Sequence, residues 1–486
     1  MEGRVVLVHL DLGIGGAERL VVNIALSLLA LGHDVTIVTT HHDPLHCFEE
    51  TRGEGALAGK VVVVGDWLPR QILGFGTALC SNFRMVYASV FVLLRSNLKP
   101  NVVFMDGVSI PLPLYLWAGI PTIFYCHYPD MLLCSSSSRS SFVGKAYRSL
   151  LDTAEEWTTA CATTILVNSL FTKETFRRTF TELSGLVVPQ VLYPTLEETH
   201  DREEHTLPEY LVPNQYLESG KPGRFNMFVS LNRYERKKRV ELALEALAIL
   251  KKDDPAQSGV RLLLVIAGGF DERVAENVQY LGELQSAAEK LGLRWSFPTP
   301  GSSCTLDNID VIFRVSISAT EREGLLRNAS ALLYTPENEH FGIVPLEAMR
   351  SGTPVIAVNN GGPVETIIHE NTGYLCNQTP KSFADAMKEF LGAQATALSM
   401  ADKNSIVRSL ASNTMGDAGR LHVKKHFTAK AMRDGLEACL KNTHLQSLST
   451  QQHQKIYGNK CLTLLSLAVA CLVAIFIRIV AVVVVP

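Results

Sequence analysis

Short runs of aliphatic and β-branched residues alternate along the chain with longer stretches whose apolar positions recur at helical spacing. That alternation predicts parallel sheets covered by helices. In the first half, strands are predicted at Val5–Leu10, Val35–Thr39, Val61–Val64, Val102–Met105, Thr122–Cys126 and Thr164–Asn168. Between the first two, Ala17–Leu31 carries a helical stripe that Gly32 stops. The pattern breaks after Leu196, where Glu197, Glu198, Asp201, Glu203 and Glu204 stand near several prolines. Such a stretch reads as a linker or surface loop. Strands resume at Phe225–Ser230, Leu262–Ala267, Ile312–Ser316, Ala331–Tyr334 and Pro354–Val358. The expected α/β architecture is two Rossmann-like doubly wound domains, 1–200 and 225–448, joined by an acidic linker at 201–224 and facing a cleft. Ligands of such sheets bind beyond the carboxyl ends of the strands.

From Leu462 to Pro486 the only charged residue is Arg478. As a helix this stretch would reach ~36 Å, enough for a hydrocarbon core of ~30 Å. The segment 461–486 is therefore expected to anchor the chain, with Lys455 and Lys460 favouring a cytosolic side for what precedes it. Whether it spans the bilayer or lies on it stays open. Met85–Leu94 and Val108–Pro121 are apolar too, but too short or too broken by proline to cross alone; they are expected in the core, with peripheral membrane contact as the alternative.

A net charge of −3 lacks the basic footprint of a nucleic-acid binder. The ten cysteines form no C-x-x-C pair, which points to reduced cytosolic thiols. No Asp-x-Asp pair occurs, so no obligatory catalytic metal is expected.

Three segments carry chemistry. Gly13-Ile14-Gly15-Gly16-Ala17-Glu18-Arg19 follows the first strand and opens the first helix, where glycines let a phosphate or sugar approach the backbone. Its spacing is not G-x-G-x-x-G, which disfavours a nicotinamide cofactor. Glu339 and Glu347 flank Phe341-Gly342-Ile343-Val344, whose backbone N–H groups can face a ligand at the mouth of a helix that Pro345 helps to start. Ser230-Leu231-Asn232-Arg233-Tyr234-Glu235-Arg236-Lys237-Lys238 follows the first strand of the second half. Arg233 and Lys238 could neutralise a diphosphate there, the first as a bidentate fork and the second as a point charge.

These segments, with Tyr125-Cys126-His127-Tyr128-Pro129-Asp130, resemble the retaining GT-B glycosyltransferases of family 4. Within that family they look most like the dolichol-pathway mannosyltransferases that add the second and third mannoses. The resemblance runs from about Val5 to about His444 and implies a GT-B fold with the nucleotide-sugar in the second domain and the acceptor in the first. It implies Arg233 and Lys238 on the diphosphate, Glu347 on the ribose, and Glu339 with the backbone of Phe341, Gly342, Ile343 and Val344 on the mannose. Gly15 and Gly16 would lie near the donor phosphate and the acceptor, and His127 would line the reaction centre. The basic segment is a residue shorter than in some relatives, so Lys237 competes with Lys238 for the phosphate role.

The implied donor substrate is GDP-mannose, with no cofactor, and the implied acceptor is an oligosaccharide on dolichyl diphosphate. The implied site is the cytosolic face of the endoplasmic reticulum membrane, with other glycosyltransferases of the pathway as partners. Two rival readings share the motifs: a non-catalytic membrane-tethered scaffold, and another mannosyltransferase acting on lipid-linked glycans.

Overall fold

The computed structural model describes residues 3–71, 76–133, 142–196, 225–253, 261–298, 308–400, 410–449 and 454–463. The stretch expected as a linker, 201–224, lies outside them, as does 464–486 of the expected anchor. The chain forms two compact units, one of Met1–Thr195 with Ala429–Pro486 and one of Leu196–Thr428.

The first unit is built on seven parallel strands: β1 (Arg4–His9), β2 (Asp34–Thr39), β3 (Val61–Val63), β4 (Val102–Asp106), β5 (Thr122–Cys126), β6 (Thr164–Val167) and β7 (Gln190–Val191). Their order is β3-β2-β1-β4-β5-β6-β7, so the winding reverses between β1 and β4. Helices cover both faces, which is why Val5, Val6, Leu7 and Val8 are all buried and read as an unbroken apolar run. On one face Leu20, Val21, Ile24 and Leu28 of the helix Gly16–Ala30 pack with Met432, Leu436 and Cys439 of the helix Ala429–Ser449. The second domain was expected to run on to 448. Instead the apolar face of Ala429–Ser449 is buried on the first unit, and Thr443 Oγ1 hydrogen-bonds Thr164 Oγ1 of β6 at 2.8 Å.

On the other face Met85, Ala88 and Val92 of the helix Thr77–Leu94 join Leu112 and Tyr115 of the helix Leu112–Trp117. Tyr457 and Cys461 belong to the same cluster. Both inner apolar stretches thus contribute to the core, as expected.

The second unit repeats the plan with β8 (Phe225–Leu231), β9 (Arg261–Gly268), β10 (Trp295–Ser296), β11 (Val311–Val315), β12 (Ala331–Tyr334), β13 (Val355–Val358) and β14 (Gly373–Cys376). The order β10-β11-β9-β8-β12-β13-β14 again puts the reversal beside the first strand, between β8 and β12. Strands β7, β10 and β14 were not predicted; two are only two residues long and the third opens on Gly373.

Candidate active site

In the second unit, the loop after β8 is held by its neighbour before it delivers its charges. Asn232 and Tyr234 donate backbone N–H groups to the carbonyls of Ala267 and Gly269, at 3.0 and 3.1 Å. A side chain at Gly268, whose φ is +155°, would collide with the Asn232 carbonyl. The Tyr234 hydroxyl is buried and donates toward the carbonyls of Ile266 and Arg314. With Tyr234 turned inward, Arg233 and Glu235 flank it and pair at 3.0 Å.

The two lysines then part company. The Lys237 side chain is 66 % exposed and pairs with Glu235, whereas Lys238 is 12 % exposed and its Nζ meets Glu339 Oε2 at 2.5 Å. Thr335 Oγ1, just past β12, donates to the Lys238 carbonyl at 2.7 Å and fixes the two loops together. The structure therefore brings Lys238 and Glu339 together across the switch point of the sheet, where doubly wound folds hold their ligands.

Glu339 is held from behind. Its carbonyl accepts from the Gly362 N–H at 2.7 Å, and Asn360 Oδ1 accepts from the Asn338 N–H at 2.9 Å. Burial pushes the Tyr334 phenol well above its ordinary pKa, and the neighbouring Glu339 carboxylate adds to the shift. Gly342, in the left-handed region at φ 84°, turns the chain into the helix Ile343–Ser351, and no side chain caps that end. Glu347 was expected at the start of this helix; it lies a full turn in, because helical geometry begins at Ile343, two residues before Pro345. Its side chain is buried and its Oε1 is 3.3 Å from Arg322 Nη1. Arg322, on the helix Ala319–Asn328, carried no sequence signal.

In the first unit the glycine turn behaves differently. Leu12 is buried and its N–H bonds the His41 carbonyl at 2.8 Å. The buried Arg84 guanidinium reaches the Asp11 carboxylate at 2.8 Å. Gly15 is extended and the helix starts at Gly16 without a side-chain cap. A Cβ on Gly16 would meet nothing within 4 Å. Packing within this unit therefore does not require a glycine there.

His127 follows β5. Its carbonyl accepts from Asn168 Nδ2 at 3.1 Å, and its Nε2 lies 2.9 Å from Asp106 Oδ2 at the end of β4. The other oxygen of Asp106 is 2.7 Å from Nδ1 of His9, the last residue of β1. His9 and Asp106 were not picked out by sequence reasoning. His41 and His42, crowded in the sequence, separate onto Asp66 and Thr51. Among the described residues no group of three or more His, Cys, Asp or Glu could hold a metal ion.

Two Rossmann-like units, each with its polar residues at the carboxyl edge of a parallel sheet, make up the GT-B fold. Sucrose-phosphate synthase from Thermosynechococcus elongatus shares the fold with a TM-score of 0.61 at 18% identity, over 91% of this chain and 99% of that one. A glycosyltransferase from Rickettsia africae shares it with a TM-score of 0.56 at 15% identity, over 91% and 98%. The family description "Glycosyltransferase Family 4" matches residues 14–182, and "Glycosyl transferases group 1" matches 214–405.

The chain belongs to the ALG2 family of α-1,3/1,6-mannosyltransferases. It is 41% identical to the enzyme of that name from Rhizomucor pusillus, over 90% of this chain and 91% of the relative. The human enzyme matches at 41% over 89% and 94%. The Saccharomyces cerevisiae enzyme matches at 38% over 89% and 83%.

Proposed function

We propose that the chain transfers mannose from GDP-mannose, with retention of the α-configuration, to a mannosyl-chitobiose on dolichyl diphosphate. It adds the α-1,3 and α-1,6 mannoses during assembly of the lipid-linked oligosaccharide for protein N-glycosylation. The reaction runs on the cytosolic face of the endoplasmic reticulum membrane. The observation that carries this reading is the Lys238–Glu339 pair, a cation and a carboxylate from separate loops at one switch point.

Cleavage of the anomeric C–O bond puts negative charge on the leaving diphosphate and positive charge on the sugar. Lys238 and Arg233 stabilise the first as it develops. Glu339 and the N–H groups of Phe341 to Val344 hold mannose hydroxyls, and Glu347 accepts from the ribose. The acceptor attacks from the face the phosphate leaves, and the phosphate takes its proton. His127 orients hydroxyls. Incubated with GDP-mannose and a short lipid-linked acceptor, the purified protein is expected to add two α-linked hexoses, read by mass spectrometry and linkage analysis. No added hexose, transfer only from uridine donors, or a β-linked product would each remove the reading.

The membrane contact is proposed from the helix Thr77–Leu94. Its inner side holds the core residues and Arg84, so it does not cross a bilayer. Its outer side exposes Leu79, Phe83, Tyr87, Val90 and Leu94 at helical spacing, with Trp67 edge-on against Tyr87 at 5.8 Å. An apolar stripe edged with aromatics suits the headgroup boundary. Trp117, at the end of the helix Leu112–Trp117, is exposed as well, and Gly458 lies against Leu116 and Trp117. Replacing Phe83 and Leu94 by Glu is expected to slow transfer to a long-chain dolichyl acceptor while sparing a water-soluble one. Equal effects on both acceptors would refute lipid docking by this face.

A further inference from the structure

Three residues at the carboxyl ends of adjacent strands, two on the strands and one just past, form a continuous polar chain at the switch point of the first sheet. His9 closes β1, Asp106 closes β4 and His127 follows β5. Asp106 is buried and each of its oxygens meets one imidazole, His9 Nδ1 at 2.7 Å and His127 Nε2 at 2.9 Å. His9 is buried as well, while the His127 side chain keeps 26 % exposure. The inner two members are thus sealed and the third faces outward.

Proton placement follows from the acceptor. An ionised carboxylate has no hydrogen to give, so a nitrogen on each of its oxygens must be an N–H. Burial would raise the Asp106 pKa, but His9 and His127 outweigh it and hold the carboxyl well below the usual carboxylate range. Burial alone would lower the His9 pKa; Asp106, Glu18 and the Asp11 backbone more than offset this, and the net shift is upward. In either charge state His9 donates Nδ1–H to Oδ1, leaving Oδ2 to accept from His127 Nε2–H. Once Nε2 carries the proton of neutral His127, Nδ1 is a lone pair.

We propose that Asp106 is a positioning residue that fixes His127 as its Nε2–H tautomer, so that Nδ1 accepts a hydrogen bond from a sugar hydroxyl, with His9 bracing the other carboxylate oxygen. The second half of this statement rests on the placement of His127 at the reaction centre; the first half does not. With the opposite tautomer, Nδ1–H would face the hydroxyl donor to donor, and the sugar would have to turn to bind.

The test combines histidine ¹⁵N spectra with kinetics. In long-range ¹H–¹⁵N spectra of the full chain, the His127 ring, assigned by its loss in His127→Gln, is expected as the Nε2–H tautomer. Asp106→Asn is nearly isosteric and should release that preference while lowering kcat about 10–100-fold, by analogy with the cost when a metal-bound histidine loses its outer carboxylate. KM for the sugar nucleotide should change less, since the proposed donor groups lie on the other unit.

His9→Asn retains an N–H near the Nδ1 position and should keep both tautomer and rate, whereas His9→Leu should lose both. An Nδ1–H ring in the unsubstituted protein would overturn the proposal. So would an Asp106→Asn protein that keeps the parental tautomer. A fixed tautomer with undiminished kcat in Asp106→Asn would overturn the orienting role alone. Absence of transfer by the unsubstituted enzyme would refute the proposed function, while the spectra would still judge the proton placement.

Discussion

Lys238→Ala is expected to lower kcat for mannose transfer by ~10²–10³-fold, the usual cost of removing one group that stabilises charge in the transition state. The neighbouring Lys237→Ala should leave the rate nearly unchanged. The contrast comes from geometry: Lys237 is two-thirds exposed and tied to Glu235, while Lys238 is turned inward onto Glu339. A solvated ammonium competes with water for a phosphate; a sheltered one acts through a lower effective dielectric. Removing Lys238 leaves the Glu339 carboxylate a quarter exposed, within reach of water, so the fold should survive and the unfolding midpoint should move little. Lys238→Arg retains the charge but needs room for a planar fork, and should recover only part of the rate. Initial rates with saturating acceptor decide the matter. Equal losses for Lys237→Ala and Lys238→Ala would show that the loop contributes only its net charge.

Much of this site was legible because the motif and the turn chemistry lie close together in sequence. Glu339, Gly342 and Glu347 fall within nine residues, and the basic segment follows an unmistakable strand. The carboxylate–imidazole chain of the first unit was not legible. Ninety-seven positions separate His9 from Asp106, and only the pairing of β1 with β4 makes them neighbours. A usable signal existed, since each is the polar residue that ends a buried apolar run, but it acquires meaning only once strand order is known.

The same limit explains the helix Ala429–Ser449. Its apolar positions announce a helix with something to cover, and nothing local says that its partner is the helix Gly16–Ala30. Edge strands were lost for a different reason. β7 and β10 are too short for any period to register, and Gly373 at the head of β14 argues against a strand on propensity.

The glycines of the two units should fail in opposite ways when substituted. A Cβ on Gly362 would sit inside van der Waals contact with the backbone of Phe341, and one on Gly361 would lie 2.6 Å from the Glu339 carbonyl oxygen. Backbone cannot step aside as a side chain can, so Gly362→Ala must push the loop Glu339–Phe341 away and break the Gly362 N–H bond to Glu339. The expected result is a loss of ~1–3 kcal/mol or more in stability, together with a raised KM for the sugar nucleotide, because that loop presents both Glu339 and the mouth of the helix. At Gly16 a methyl enters open space at the first position of a helix. Gly16→Ala should therefore leave the unfolding midpoint unchanged or slightly raised, since alanine is the better helix former. If the space above Gly16 belongs to substrate, kcat/KM should nonetheless fall, by up to ~10²-fold for a displacement of about an ångström at the reacting atoms. Thermal unfolding and steady-state rates on the two variants separate these effects. A Gly16→Ala enzyme with full activity would reduce the glycine turn to a strand-to-helix connection and leave substrate recognition in the first unit to His127 and its partners.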